Sequence, residues 1–151
     1  MRTMLLFAAL GLSLAACKSS STTAVSSDEA KDLLVERNWL DRMPETDREK
    51  LHVYRFVPSM GGGVYQDRTL YKGTFELFQF EHTGDEIRFN LLETGDKVTS
   101  RYRIEKVDGP EPFDLRLTIT DDPRGPRVYY GMRSETDATG LQLEQRLRAA
   151  R

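Results

Sequence analysis

The stretch Phe113-Asp114-Leu115-Arg116-Leu117-Thr118-Ile119-Thr120 alternates apolar and polar side chains without a break. A period of two marks a strand with one buried and one wet face, because successive side chains of an extended chain point to opposite sides. The same period recurs on both sides of it. Upstream, Ile87, Phe89 and Leu91 share a face in DEIRFNLL, as do Val98, Ser100, Tyr102 and Ile104 in KVTSRYRIEKV; downstream, Val128, Tyr130 and Met132 do so in RVYYGMR. Turn formers separate these runs: Thr83-Gly84-Asp85, Thr94-Gly95-Asp96, Asp108-Gly109-Pro110 and Asp121-Asp122-Pro123-Arg124-Gly125-Pro126. Links this short join antiparallel neighbours, since parallel pairing needs a crossover of a dozen or more residues.

Further upstream the pattern is less regular. LHVYRFV (Leu51 to Val57) is strand-like and stops at Pro58-Ser59-Met60-Gly61-Gly62-Gly63. TFELFQFEH places Phe75 and Leu77 on one face but Phe78 and Phe80 on the other, so either a bulge between Leu77 and Phe78 restores one inward face or both faces are buried. With Trp39 the tally is seven or eight short strands. A one-faced apolar meander of that length closes into a small barrel, which removes exposed edges; a two-sheet β-sandwich is the alternative. Short helices flank it. Ser27 to Val35 begins with a serine N-cap and acidic residues in the first turn, and residues 141–151 end in Arg146, Arg148 and Arg151, which suit a helix C-terminus.

The chain starts differently. Met4 to Ala16 carries no charge and follows Arg2, too short a run for a spanning helix of about 20 residues but of the right shape for a secretory leader. The quartet Leu14-Ala15-Ala16-Cys17 resembles the lipobox of bacterial lipoproteins. That resemblance implies cleavage after residue 16 and acylation of Cys17, the only cysteine, with Lys18 at the next position favouring the outer membrane, facing the periplasm or the cell surface. Two or more acyl chains give stable anchoring where one does not. The expected organisation is a signal peptide at 1–16, a lipidated cysteine and flexible tether at 17–27, a β-barrel domain at 28–140 and a helical tail at 141–151. The tract KSSSTTAVSS spans roughly 17 Å as a coil.

Composition narrows the classes. Arg2 leaves with the leader, so 21 of 22 basic side chains face 24 acidic ones, a net charge of −3 without the basic excess of a nucleic-acid binder. With Cys17 acylated no thiol remains for disulfides, thiolate metal sites or nucleophilic catalysis. A short first helix, an early Trp39, an antiparallel meander and a closing helix resemble the lipocalin-like barrels. The resemblance implies that Trp39 packs at the closed end of the barrel against an arginine near the last strand, Arg127 or Arg133; the glycine of that family two residues before the tryptophan is Arg37 here.

Candidate chemistry is sparse. His52 and His82 are too few for a metal site on their own, and His82, with Glu81, Asp85 and Glu86 nearby, reads as a solvated turn. Asp121 and Asp122 precede Pro123, so turn chemistry accounts for them. Gly61-Gly62-Gly63 lacks the following Lys-Ser/Thr of a phosphate loop and reads as a flexible loop or flap at the barrel mouth. No serine lies in a G-x-S-x-G context. Aromatic residues are the stronger signal: Trp39, Tyr54, Phe56, Phe78, Phe80, Tyr129 and Tyr130 are the expected contacts for a ligand or partner. The expectation is a non-catalytic, membrane-anchored envelope protein without cofactor or metal. It would bind a partner protein, an envelope component or a small apolar ligand. A hydrolase or isomerase acting on an envelope substrate is the alternative, requiring Glu76, Glu81 or His82 to converge in a cavity.

Overall fold

The computed structural model describes residues 22–135; the expected leader, Cys17 and the expected helix at 141–151 lie outside the described residues. Nine strands and one helix follow in the order β1 (Thr23–Ala24), α1 (Ser27–Leu34), β2 (Asn38–Leu40), β3 (Leu51–Val57), β4 (Gly62–Arg68), β5 (Gly73–His82), β6 (Glu86–Leu91), β7 (Lys97–Lys106), β8 (Leu115–Thr120) and β9 (Val128–Gly131). From β2 to β9 every strand pairs antiparallel with the next, and β9 returns to β2 through Leu40 and Tyr130. The result is a closed eight-stranded barrel, not a sandwich, with β1 as a ninth strand on β7. Closure pairs every long edge and so explains why the meander need not hide one.

The patterned runs supply the interior. Tyr54 and Phe56 of β3, Phe78 of β5, Ile87 and Phe89 of β6, Tyr102 and Ile104 of β7, Leu115, Leu117 and Ile119 of β8 and Tyr129 of β9 form one buried cluster with Trp39. On β9 the expected face Val128, Tyr130 and Met132 is not the inward one: Tyr129 enters the barrel, and Tyr130 and Met132 belong to a second cluster. α1 contributes Ala30, Leu33 and Leu34 to the same cluster and so stoppers one end. Its N-cap is Ser26 rather than Ser27, the Ser26 Oγ accepting from the Glu29 N–H at 3.2 Å. A Cβ on Gly84 would strike Ser27, so the β5–β6 turn is cut to fit the start of this helix.

Several elements differ from what the residue pattern predicts. β5 carries no bulge: its register with β4 runs unbroken from Gly63↔Phe78 to Arg68↔Gly73, and Phe75 and Leu77 simply face outward. The glycine run is not a flexible flap. Gly61 adopts φ +75 after the 3-10 turn Pro58–Met60, but Gly62 and Gly63 belong to β4, where an added Cβ would meet the Phe78 carbonyl oxygen and the Phe78 ring respectively. β4 escapes periodicity because its inward row is Gly63, Tyr65 and Asp67, of which Tyr65 alone is buried and apolar. Phe113 does not continue the inward row of β8. The chain turns at Pro112, and Phe113 joins a second cluster with Leu40, Leu51, Val53 and Met132, onto which Met43 and Tyr130 pack.

Part of the expected tether is also ordered. Thr23 and Ala24 pair with Lys106 and Glu105, and the Val25 N–H donates to the Ile104 carbonyl at 3.1 Å. Trp39 is fully buried, its Nε1 donating to the Leu34 carbonyl at 2.9 Å, with Gly131 packed on the ring face. Among the described residues, the guanidinium lying over aromatic rings is that of Arg124, and the rings are Tyr65 and Phe78, not Trp39. Arg37 fastens this end instead, its Nη1 donating to the Met132 carbonyl at 2.8 Å.

Candidate functional site

Two features rise above the regular barrel: a polar latch at the end opposite α1, and an apolar strip on its outside. The latch is the β8–β9 turn. Asp121 (φ 58) and Arg127 (φ 70), with Gly125 (φ 122) between them, fold residues 121–127 back over the barrel. Asp122 then points inward, Oδ1 accepting from the Tyr54 hydroxyl at 2.8 Å and from the Arg124 N–H at 2.9 Å, and Oδ2 from the Tyr129 hydroxyl at 2.6 Å. Arg124 follows it down. Its Nε donates to Glu76 Oε2 at 2.8 Å, and its guanidinium lies 5.3 and 5.2 Å from the Tyr65 and Phe78 ring centres. Ser100 secures the neighbouring backbone, its Oγ donating to the Asp121 carbonyl at 2.9 Å.

Burial dominates the electrostatics of this cluster. It raises the Tyr54 and Tyr129 phenols well above their ordinary range, and the Asp122 carboxylate beside them adds to the effect. Tyr65 is raised for the same two reasons. Burial opposes the charge on Arg124, yet the hydrogen-bonded Glu76 carboxylate favours it, and the guanidinium is held charged more firmly than usual. The phenols are therefore donors and not bases, and both Asp122 oxygens are engaged. Chemically this is a clamp that closes the mouth. Nearby, His52 Nδ1 lies 3.0 Å from Asp41 Oδ2 and the ring stacks on Tyr65, with Nε2 4.0 Å from Asp67 Oδ1. Among the described residues no group of three or more His, Cys, Asp or Glu side chains is arranged to hold a metal ion.

Of the seven residues expected to touch a ligand or partner, five are buried and two are partly buried. Trp39, Tyr54, Phe56, Phe78 and Tyr129 are buried at 0–1% exposure and fill the barrel. Phe80 packs against the same cluster, and Tyr130 lies against the outer one, stacked on Phe113. Nor do Glu76, Glu81 and His82 converge. Glu76 and His82 face inward six residues apart on β5, Glu76 at the latch and His82 beside Phe80 and α1, while the Glu81 side chain is 84% exposed on the outside. His82 is not a solvated turn residue either: burial lowers its pKa, with the Lys31 backbone as hydrogen-bond partner. Sequence reading missed Asp122 and Arg124 because a DDPRGP turn advertises solvent, and only the positive φ values aim it inward.

The strip lies on β5 and its neighbours. Phe75 is 68% and Leu77 49% exposed on the half of β5 that is laddered to β4 alone, since β6 joins the strand only from Phe78 onward. Val64 lies beside Leu77 across the β4–β5 ladder, and Met60, Leu92 and Tyr71 extend the apolar surface. Met60, Val64, Leu77 and Leu92 border an open groove of about 220 Å³, below the roughly 300 Å³ at which small-molecule pockets begin. The signal that could have found this strip was the two-faced reading of TFELFQF.

Compared with protein-family models, with curated proteins and with solved structures, the chain matches none.

Proposed function

We propose that this is a lipid-anchored, non-catalytic envelope protein, held through acylated Cys17 to the outer membrane, that presents the outer face of β4 and β5 to a partner protein. The observation that carries the reading is the pair Phe75 and Leu77, exposed side by side on the half of β5 that is paired to β4 and open on its other edge, while the barrel interior is filled. Exposed aromatic and branched apolar side chains clustered on a rigid sheet are unfavourable in water and are retained where a partner covers them. A filled interior supports an outside surface over an enclosed apolar ligand. Anchoring raises the local concentration of that surface for anything on the same membrane.

Two measurements test the two halves. Intact-mass analysis of detergent-extracted protein is expected to show a chain beginning at Cys17 with acyl chains attached. A free thiol at Cys17 removes the anchor from the proposal. A photo-crosslinking residue at Phe75 or Leu77 in living cells is expected to yield one discrete adduct that is missing with the probe at Thr46, and equal labelling at the two places would defeat the docking surface.

A further inference from the structure

The outer face of β6, β7 and β8 is basic, in a chain that is acidic as a whole. Arg88 of β6, Lys97, Arg101 and Arg103 of β7 and Arg116 of β8 share it: Arg88 stands opposite Thr99, Arg101 opposite Thr120 and Arg103 opposite Thr118. The acidic groups facing them are Glu81 on β5, Glu86 and Glu105. These are already taken, Glu86 by Arg88 at 2.9 Å and Glu105 by Arg116 at 2.7 Å and Arg103 at 3.4 Å, with Glu81 4.0 Å from Arg88. Lys97 and Arg101 are exposed and make no ion pair with the described residues. Five cations against three anions leave the face at +2. Arg88 and Lys97 also border an open concavity of about 460 Å³ on this side, floored by Phe89 and Val98.

The place where the chain enters the barrel adds a second argument. Thr23 is paired with Lys106 at the end of β7, the same strand that carries Lys97, Arg101 and Arg103. Six residue steps separate it from Cys17, a reach of about 20 Å when fully extended. An anchor on so short a leash is attached to the basic flank.

We infer that the outer face of β6–β8 lies against the anionic lipid headgroups of the leaflet that holds the anchor. The inference rests on the anchoring reading above and adds an orientation to it. Each basic side chain near an anionic surface contributes a modest attraction, and a net of two gives roughly a thirtyfold preference over a neutral surface. That is too weak to recruit a free protein but enough to orient a tethered one. With β7 against the membrane, β5 lies two strands round the barrel and its strip is directed along the surface, toward neighbours.

Acylated Cys17 leaves any introduced cysteine as the sole free thiol, so the mature, acylated protein can be labelled at Thr99→Cys on the flank or at Thr46→Cys in the β2–β3 connection. In vesicles with about one-third phosphatidylglycerol, a headgroup-attached quencher is expected to quench the Thr99 label several-fold more than the Thr46 label. The difference is expected to disappear in pure phosphatidylcholine, at high salt, and in the surface variant Arg101→Glu/Arg103→Glu, with Lys97→Glu giving a partial loss. Equal quenching at both labels, or quenching that ignores lipid charge, overturns the orientation. Protein that fails to float with neutral vesicles lacks the anchor, which overturns the reading beneath it and the orientation with it.

Discussion

Asp122 is the residue on which the closed mouth depends most. It accepts from two buried phenols and one backbone N–H, and leaving such donors unpaired costs about 1–3 kcal/mol each. Asp122→Ala is therefore expected to destabilise the barrel by about 3–4 kcal/mol, read as a lower urea midpoint. Asp121→Asn, one residue earlier, keeps a side chain tolerant of positive φ and is expected to stay within about 0.5 kcal/mol. Comparable losses at both positions would show that the turn, not the carboxylate, carries the effect. The same phenols set an alkaline limit. Tyr54 and Tyr129 hold their protons in the folded state beyond the value at which an unfolded chain releases them, about pH 10. Their contribution is complete below that pH and falls above it, by about 1.4 kcal/mol per pH unit for each. Urea midpoints measured upward from about pH 9 are expected to be flat first and then to drop, with phenol ionisation and loss of structure occurring together; phenols ionising in a barrel that stays folded would contradict this.

At the scale of the element, β4 and β5 show how a strand can be written without periodicity. Gly62 and Gly63 are there because Phe78 occupies the space their side chains would need, with the Arg55 carbonyl 2.7 Å from a Cβ on Gly63. Gly63→Ala is expected to cost about 1–3 kcal/mol through overpacking. Gly61→Ala has open space around it and bears only the left-handed backbone, about 1 kcal/mol. Thermal midpoints of the two variants check the order, and Gly61→Ala proving the more damaging would mean that loop conformation outweighs packing. β5 has the opposite character: its apolar residues on both faces are honest about what each face meets. Phe78 and Phe80 face the filled interior, Phe75 and Leu77 the outside. The period-two runs of β6, β7 and β8 were legible because one of their faces is wet, whereas β4 and β5 were not, since close backbone approach and an exposed apolar face both break the alternation.

For the whole molecule, the question is whether the barrel is hollow. Phe56, Phe78 and Phe89 meet one another and Tyr54 at ring-centre distances of 5.4–6.2 Å, Tyr54 and Phe56 stacked and the other pairs edge-on or tilted, in the middle of the cluster. α1 and the 121–127 latch close the two ends. Apolar dyes are thus expected to find no interior site in the native protein. Phe89→Ala is expected to lose about 3–5 kcal/mol and to gain uptake of a small apolar probe, followed by its fluorescence; uptake by the unaltered protein at similar affinity would show a hollow barrel. With its interior filled, the outer surface is what the barrel offers for recognition, and the proposed membrane contact and the proposed partner contact fall on different strands of it, β6–β8 and β4–β5.

The sequence by itself determined the fold class and the inner faces of β6, β7 and β8, because alternation along an extended chain is a local property that burial must obey. The lipobox-like quartet Leu14 to Cys17 is equally local, so the proposed anchor rests on the sequence and not on the fold. Tertiary structure alone decided three things: that Asp122 and Arg124 turn inward onto Tyr54, Tyr129 and Glu76, that Trp39, Tyr54, Phe56, Phe78 and Tyr129 are buried within the barrel, and that Phe75 and Leu77 remain outside. Each depends on which residues distant in the chain come to share a space. No window of sequence contains that information, since strand order and barrel closure set it.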